Sequence, residues 1–169
     1  YINSETETIE SMNKLIDWLP NNLPTEKGTG IVHGDYSITN VMVGKTDPGV
    51  IAILDWELST LGDPCADFNY HCLQYTNNPK LADEEYCKQT GIPIIGDYVK
   101  MYSEKMNIDL SEEWDLYTAY NLFKLAGILQ GIIGRVRDGT AANENAAERA
   151  SGVQNLSDSA WKLVEKNFL

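Results

Sequence analysis

The segment from Ser111 to about Val136 restricts the fold more than any other part of the chain. Trp114, Tyr117, Leu122, Leu125, Ala126, Leu129, Ile132 and Ile133 recur at helical spacing, and Phe123 and Ile128 put apolar surface on other sides. A helix that is apolar nearly all round must be buried among other elements, so this one is expected at the centre of a mostly helical protein. Ser111 is its expected N-cap. Arg135 and Arg137 sit at the carboxyl end, where positive charge is favourable, and Gly139 closes it. The longest apolar stretch, Leu122 to Val136, is interrupted by Lys124, Gln130 and Arg135, too short and too polar to span a bilayer.

The rest of the chain divides at Asp63. Before it, Ile9, Met12, Leu15, Ile16 and Leu19 give an amphipathic helix over Ser4–Leu19 that Pro20 stops, and a polar connector runs to Gly30. Three short apolar pieces follow: Ile31-Val32, Val41–Val43 and Val50–Leu54. The last two are rich in β-branched residues and flank Lys45-Thr46-Asp47-Pro48-Gly49, which predicts a β-hairpin with a five-residue turn. After Asp63 the pattern is helical. Asp63-Pro64 starts a helix reaching about Tyr75, Asp83 caps a short one ending at Gly91, and another covers roughly Asp97–Asn107. A final alanine-rich helix is expected from Thr140 onward, weakened near Ser151-Gly152. The fold class is therefore mainly α with a small β-hairpin (α+β).

Charge and cysteine usage exclude several functions. At 169 residues the chain is one domain in size, with an ordinary apolar fraction of 43%. A net charge of −12, three arginines and no basic run argue against nucleic acid or an anionic membrane as partner. An anionic substrate would need a local site or metal ions. Cys65 and Cys72 on one helix would lie about 10 Å apart, beyond disulfide reach, so the three cysteines are expected as reduced core thiols. A zinc site from Cys65, His71, Cys72 and Cys87 lacks any C-x-x-C pairing and is discounted. No signal peptide is visible, and an intracellular protein is expected, with no compartment assigned. The start at Tyr1 rather than methionine suggests a piece cut from something longer.

The chemistry is concentrated in His33-Gly34-Asp35-Tyr36-Ser37-Ile38-Thr39-Asn40, followed fifteen residues later by Asp55. Phosphoryl transfer needs a group to orient the attacking hydroxyl and oxygen ligands for Mg²⁺ on the nucleotide phosphates. Mg²⁺ takes hard oxygen donors and usually only one or two protein carboxylates. Asp35, Asn40 and Asp55 supply that set. If Val41 pairs with Leu54, Asn40 stands opposite Asp55 with Cβ atoms roughly 5 Å apart, and Asp35 leads into the same end of the hairpin.

A strand, then H-G-D-x-x-x-x-N, then a hairpin ending in apolar-apolar-Asp follows the order of the kinase catalytic loop and metal-binding aspartate. Through "VHGDYSITNVMVG", "VIAILDWELSTLGDPCADFNY" and "NLFKLAGILQGIIGRVRDGTA" the chain resembles the C-terminal lobe of aminoglycoside-phosphotransferase-like kinases. More narrowly, it is similar to the kinase-like domain fused ahead of acyl-CoA dehydrogenases. The resemblance covers nearly all of residues 1–169 and implies the C-terminal lobe of a protein-kinase-like fold, with the N-terminal, ATP-covering lobe absent. It implies an ATP- and Mg²⁺-dependent phosphotransferase acting on a small-molecule hydroxyl. Asp35 would be the catalytic base, and Asn40 and Asp55 the Mg²⁺ and nucleotide-phosphate ligands. The dehydrogenase-fused resemblance implies a hydroxyacyl-CoA as acceptor.

The remaining motif residues carry plainer expectations. His33 shapes the loop, Asp63 caps a helix, and Asp67 resembles a buried aspartate that props up the catalytic loop. Trp56 packs, Glu57 faces solvent, and His71 is an ordinary helix residue. Relatives of the dehydrogenase-fused type often carry arginine where this chain has Ser37, and Asp or Gly where it has Thr39. The alternative function is a catalytically inactive, kinase-shaped module that binds a ligand or partner. A dehalogenase-like phosphatase lacks its second aspartate here, since Glu57 takes the place. A metallophosphoesterase needs more than the two histidines present, and a serine hydrolase has no G-x-S-x-G.

Overall fold

The computed structural model of the chain describes residues 1–140 and 152–169. Its helices are α1 (Glu10–Trp18), α2 (Pro64–Cys72), α3 (Gln74–Asn77), α4 (Glu84–Thr90), α5 (Ile95–Met106), α6 (Trp114–Arg137) and α7 (Val153–Asn167). Strands β1 (Gly30–Val32), β2 (Val41–Val43), β3 (Val50–Ile53) and β4 (Thr60–Gly62) form two antiparallel pairs, β1 with β4 and β2 with β3. The chain forms two compact units, one from residues 1–24 and 118–169, the other from 25–117.

In the first unit Ile9, Met12, Ala126 and Val153 make a core, flanked by Phe123, Leu129, Ile133 and Leu156. Met12 and Leu15 of α1 are fully buried, each contributing about 2 kcal/mol through apolar area removed from water. Gln130 is 1% exposed in the middle of α6. Its amide donates to the Ser4 carbonyl at 2.6 Å and to the Thr6 hydroxyl at 3.2 Å, so a buried polar group is satisfied. That contact accompanies a difference from expectation. Ser4 belongs to a 3-10 turn at Ile2–Ser4, its carbonyl serves Gln130, and α1 starts only at Glu10. At the far end of α6, Gly139 takes a left-handed φ of 68°, and the Thr140 N–H reaches the Arg135 carbonyl at 2.9 Å. Thr140 thus finishes α6 rather than opening the last helix. Much of the expected alanine-rich helix lies outside the described residues, and from Val153 the chain is helical.

In the second unit Cys65, Phe68, Cys72, Leu110 and Tyr117 form the core, with the Phe68 and Tyr102 rings stacked at 3.8 Å. Asp63 caps α2 by accepting the Cys65 N–H at 2.9 Å, with Pro64 in the first turn. The helix expected to continue to Tyr75 breaks at Leu73. Leu73 N–H bonds Tyr70 O, and Thr76 N–H and Oγ1 both bond Leu73 O, so three-residue bonds tighten the turn there. Asp83 caps α4 and Gly91 ends it, as expected. α5 starts two residues earlier than expected, at Ile95, and ends at left-handed Asn107. α6 starts at Trp114 rather than behind a Ser111 cap: Ser111 lies in the preceding turn, where its N–H bonds Asp109 Oδ1 at 2.8 Å, and the first helical bond runs from the Tyr117 N–H to the Glu113 carbonyl. Much of α6 is buried, at Tyr117, Ala119, Asn121, Leu122 and Ala126, although Ile128 is exposed. Strand β4 was not expected. It is three residues long and pairs Gly62 with Gly30, Leu61 with Ile31 and Thr60 with Val32.

The hairpin forms, but its register differs by one residue from the expected pairing. Val41 pairs with Ile53 and Met42 with Ala52, and a bulge between Met42 and Val43 moves the next pair to Val43 and Val50. At the open end Asn40 therefore faces Leu54, whose N–H bonds the Asn40 carbonyl at 2.8 Å. Asp55 lies one residue beyond this pair, in the left-handed region at φ 66°, ψ 57°.

Candidate active site

The loop between β1 and β2 is fixed from three directions before any ligand is considered. From α2, the Asp67 carboxylate accepts the backbone N–H of His33 and, at 2.9 Å, that of Gly34. Charge-assisted bonds to two successive amides are strong and shape the loop. Gly34 adopts φ 84°, and a Cβ there would run into the Leu58 carbonyl, so glycine is required on both counts. From inside the loop, the His33 ring is 3% exposed. Its Nε2 lies 2.7 Å from the Leu54 carbonyl and its Nδ1 accepts the Asp35 N–H at 3.2 Å. A carbonyl can only accept, so these contacts require the tautomer with hydrogen on Nε2. From the chain beyond β3, the Trp56 ring packs against His33 at 4.7 Å between centroids, and its Nε1–H donates to the Ile53 carbonyl at 2.8 Å.

Two of the three sequence-derived candidates are brought into contact. Asn40 Nδ2 donates to the Asp35 carbonyl at 2.9 Å and to Asp35 Oδ2 at 3.1 Å. With its amide hydrogens on Asp35, the Asn40 side chain keeps its Oδ1 available as an oxygen donor. Asp55 is not bonded to either residue. It is attached to the site through Leu54, which bonds Asn40 O by its N–H and His33 by its carbonyl. No bond to another described residue engages the Asp55 carboxylate, which is exposed. The Asp55 carboxylate and the Asn40 amide oxygen are hard donors of the kind that suit Mg²⁺ on nucleotide phosphates, so the residues fit that ion. Among the described residues no three of His, Cys, Asp and Glu gather into a metal site.

The plainer expectations agree with the structure. Asp67 props the loop, Asp63 caps α2, Trp56 packs, Glu57 is exposed, and the cysteines are free and buried. Tyr70 is the residue that sequence reasoning missed. Its hydroxyl donates to the Asp35 carboxylate. The available signal was its position three residues after Asp67, on the same side of a helix. Burial, and then the Asp35 charge, push the Tyr70 phenol up to about 12. His71 is less ordinary than expected. Its ring lies 5.5 Å from Tyr36 and 5.8 Å from Tyr98, burial lowers its pKa, and its Nδ1 is buried without a partner among the described residues.

Beside this loop is a cavity of about 410 Å³ walled by Ile38, His71, Gln74, Leu81, Tyr86 and Tyr98, among others. No carboxylate, lysine or arginine lines it. Ser37 and Thr39, which precede it in the loop, bond each other through their hydroxyls at 2.7 Å. None of the described helices is long and apolar enough to cross a membrane.

Comparison with known proteins agrees with this frame. A crystal structure from Ralstonia eutropha, described as a "putative aminoglycoside phosphotransferase", superposes with a TM-score of 0.89 at 40% identity, over all of this chain and 53% of that one. Mouse acyl-CoA dehydrogenase family member 10 is 38% identical over 98% of this chain, and human family member 11 is 31% identical over 96%. The chain spans 16% and 21% of the length of these two relatives. The model of the phosphotransferase enzyme family matches residues 1–103. With that match over more than half of its length and the superposition over all of it, the chain belongs to the phosphotransferase enzyme family.

Proposed function

We propose that the intact protein transfers the γ-phosphoryl group of ATP to a hydroxyl of a small molecule, and that this chain supplies the catalytic loop as the C-terminal lobe of a kinase. The observation that carries the reading is the bonded pair Asp35 and Asn40, on a loop held by Asp67 and His33. Asp35 takes the proton of the acceptor hydroxyl as the new O–P bond forms and the bond from the γ-phosphorus to the β-phosphate oxygen breaks, releasing ADP. Asn40 Oδ1 and the Asp55 carboxylate would hold Mg²⁺, which when bound offsets charge on the phosphates. Asp67 and His33 keep the Asp35 backbone in place through the cycle.

The acceptor's chemistry is constrained by the cavity beside the loop. A polycationic antibiotic would meet no carboxylate along its lining. An acyl chain would meet Ile38, Leu81, Ile92 and the tyrosines, while His71 Nδ1 offers a buried polar contact. This favours a hydroxylated acyl group over an aminoglycoside, in keeping with the relatives named for acyl-CoA dehydrogenases. One observation favours the other reading, of a binding module without catalysis: Ser37 stands where the dehydrogenase-fused resemblance implies an arginine, and its hydroxyl is engaged with Thr39 instead.

The test is ADP release by the intact protein with Mg·ATP and a panel of hydroxyacyl-CoAs, aminoglycosides and simple alcohols, with Asp35→Ala as control. Acceptor-dependent release that the substitution abolishes supports the kinase. A folded protein that releases no ADP with any acceptor and binds Mg·ATP poorly supports the binding module.

A further inference from the structure

Helix α2 contacts the catalytic loop residue by residue. Asp67 accepts the N–H groups of His33 and Gly34, the Tyr70 hydroxyl donates to the Asp35 carboxylate, and the His71 ring lies against Tyr36. Positions 67, 70 and 71 share one side of the helix, so one rigid element addresses four consecutive loop residues. Asn40 reaches the same Asp35 carboxylate from the hairpin side, through Nδ2 on Oδ2 at 3.1 Å.

A carboxylate with two fixed donors has its plane and rotamer determined, and the lone pairs left over point in one direction. We propose that Tyr70 is a positioning residue for phosphoryl transfer, holding Asp35 together with Asn40 so that its remaining lone pairs face the acceptor hydroxyl. The inference rests on the reading of Asp35 as the base. It assigns to Tyr70 no proton transfer: the phenol acts only as a hydrogen-bond donor to the Asp35 carboxylate. Without the phenol, Asp35 gains rotational freedom, and misplacement of a reacting group by about 1 Å can cost up to 100-fold in rate.

The experiment compares Tyr70→Phe, Asp35→Ala and the unaltered intact protein. The acceptor is whichever of a 3-hydroxyacyl-CoA, kanamycin or ethanol turns over fastest, or water if none does. Tyr70→Phe keeps the ring and its packing. The expected result is a kcat lowered by roughly 10- to 100-fold, with KM for Mg·ATP and the thermal midpoint unchanged. A kcat within about twofold of the unaltered protein, while Asp35→Ala abolishes turnover, overturns the role of Tyr70 and leaves the base reading intact. Loss of kcat that comes with a matching loss of thermal stability or Mg·ATP affinity marks a packing residue and also overturns it. Turnover that survives Asp35→Ala, or no turnover even in the unaltered protein, removes the base reading and this inference with it.

Discussion

The His33 ring donates from Nε2 to the Leu54 carbonyl at 2.7 Å, tying the loop that carries Asp35 to the strand end that carries Asp55. His33→Ala would remove this bond, the acceptor for the Asp35 N–H, and the packing against Trp56. A part-buried donor and a part-buried acceptor would lose their partner, which costs about 1 kcal/mol each. We expect a loss of about 2 kcal/mol in urea denaturation, partly recovered in His33→Gln, whose amide can still donate. An unchanged midpoint in His33→Ala would show that the ring is not a structural tie.

Asp67 predicts a different signature. Asp67→Ala strands two successive backbone amides, those of His33 and Gly34, and should destabilise by about 2–4 kcal/mol. Amide hydrogen exchange should quicken at His33 and Gly34 first. Asp67→Asn retains one carbonyl acceptor and should fall between the two. Equal exchange rates in all three proteins would contradict the clamp.

The pH dependence of stability should carry the mark of Asp63. Burial alone would push its pKa up, but bonds from the Tyr117 hydroxyl (2.6 Å), the Cys65 N–H and the Lys27 N–H outweigh burial and hold it below its ordinary 3.8. The unfolded chain therefore takes up this proton at a higher pH than the folded chain does. The stabilisation is complete above about pH 4 and is lost as pH falls through the folded-state value. Asp63→Asn should be less stable than the parent by about 1 kcal/mol at pH 7. The gap should narrow as pH drops below about 4. A gap constant from pH 7 to pH 2 would rule this out.

The thiols should be silent in the folded protein. Cys65, Cys72 and Cys87 are free and buried. Burial pushes Cys72 up to about 12, and burial with the bond to Asp63 does the same for Cys65. The thiolate is the reactive form, so Ellman's reagent at pH 8 should label none of the three quickly under native conditions and all three in denaturant. Fast labelling of the native protein would mean that the α2 and α4 cores open readily.

The residues of the loop and the class of fold were legible because they depend on local signals. The order of His33, Asp35, Asn40 and Asp55, the Asp63 and Asp83 caps, and the apolar period of α6 all lie within short stretches of sequence. What was not legible depends on contacts between distant residues. The hairpin register turned on a bulge at Met42 and Val43 that no residue type announces. Strand β4 exists because Gly62 and Thr60 find Gly30 and Val32 across thirty residues of chain. Nor did the sequence announce that Ser4 would sit in a 3-10 turn before α1, with its carbonyl accepting from the Gln130 amide. Tyr70 went unnoticed because its bond to Asp35 becomes visible only once α2 lies against the loop.

With Asp55 as the proposed Mg²⁺ ligand, its left-handed backbone would place activity and robustness in opposition at a single position. A non-glycine residue held at φ 66° carries strain of order 1 kcal/mol, which glycine would relieve and which asparagine tolerates better than most side chains. Selection for thermal resilience alone would therefore drift toward Asp55→Gly, a hardier protein without the carboxylate. Retention of aspartate in a shape it dislikes would then report continuing demand for its charge, and a variant that melts higher while losing turnover would expose that conflict directly.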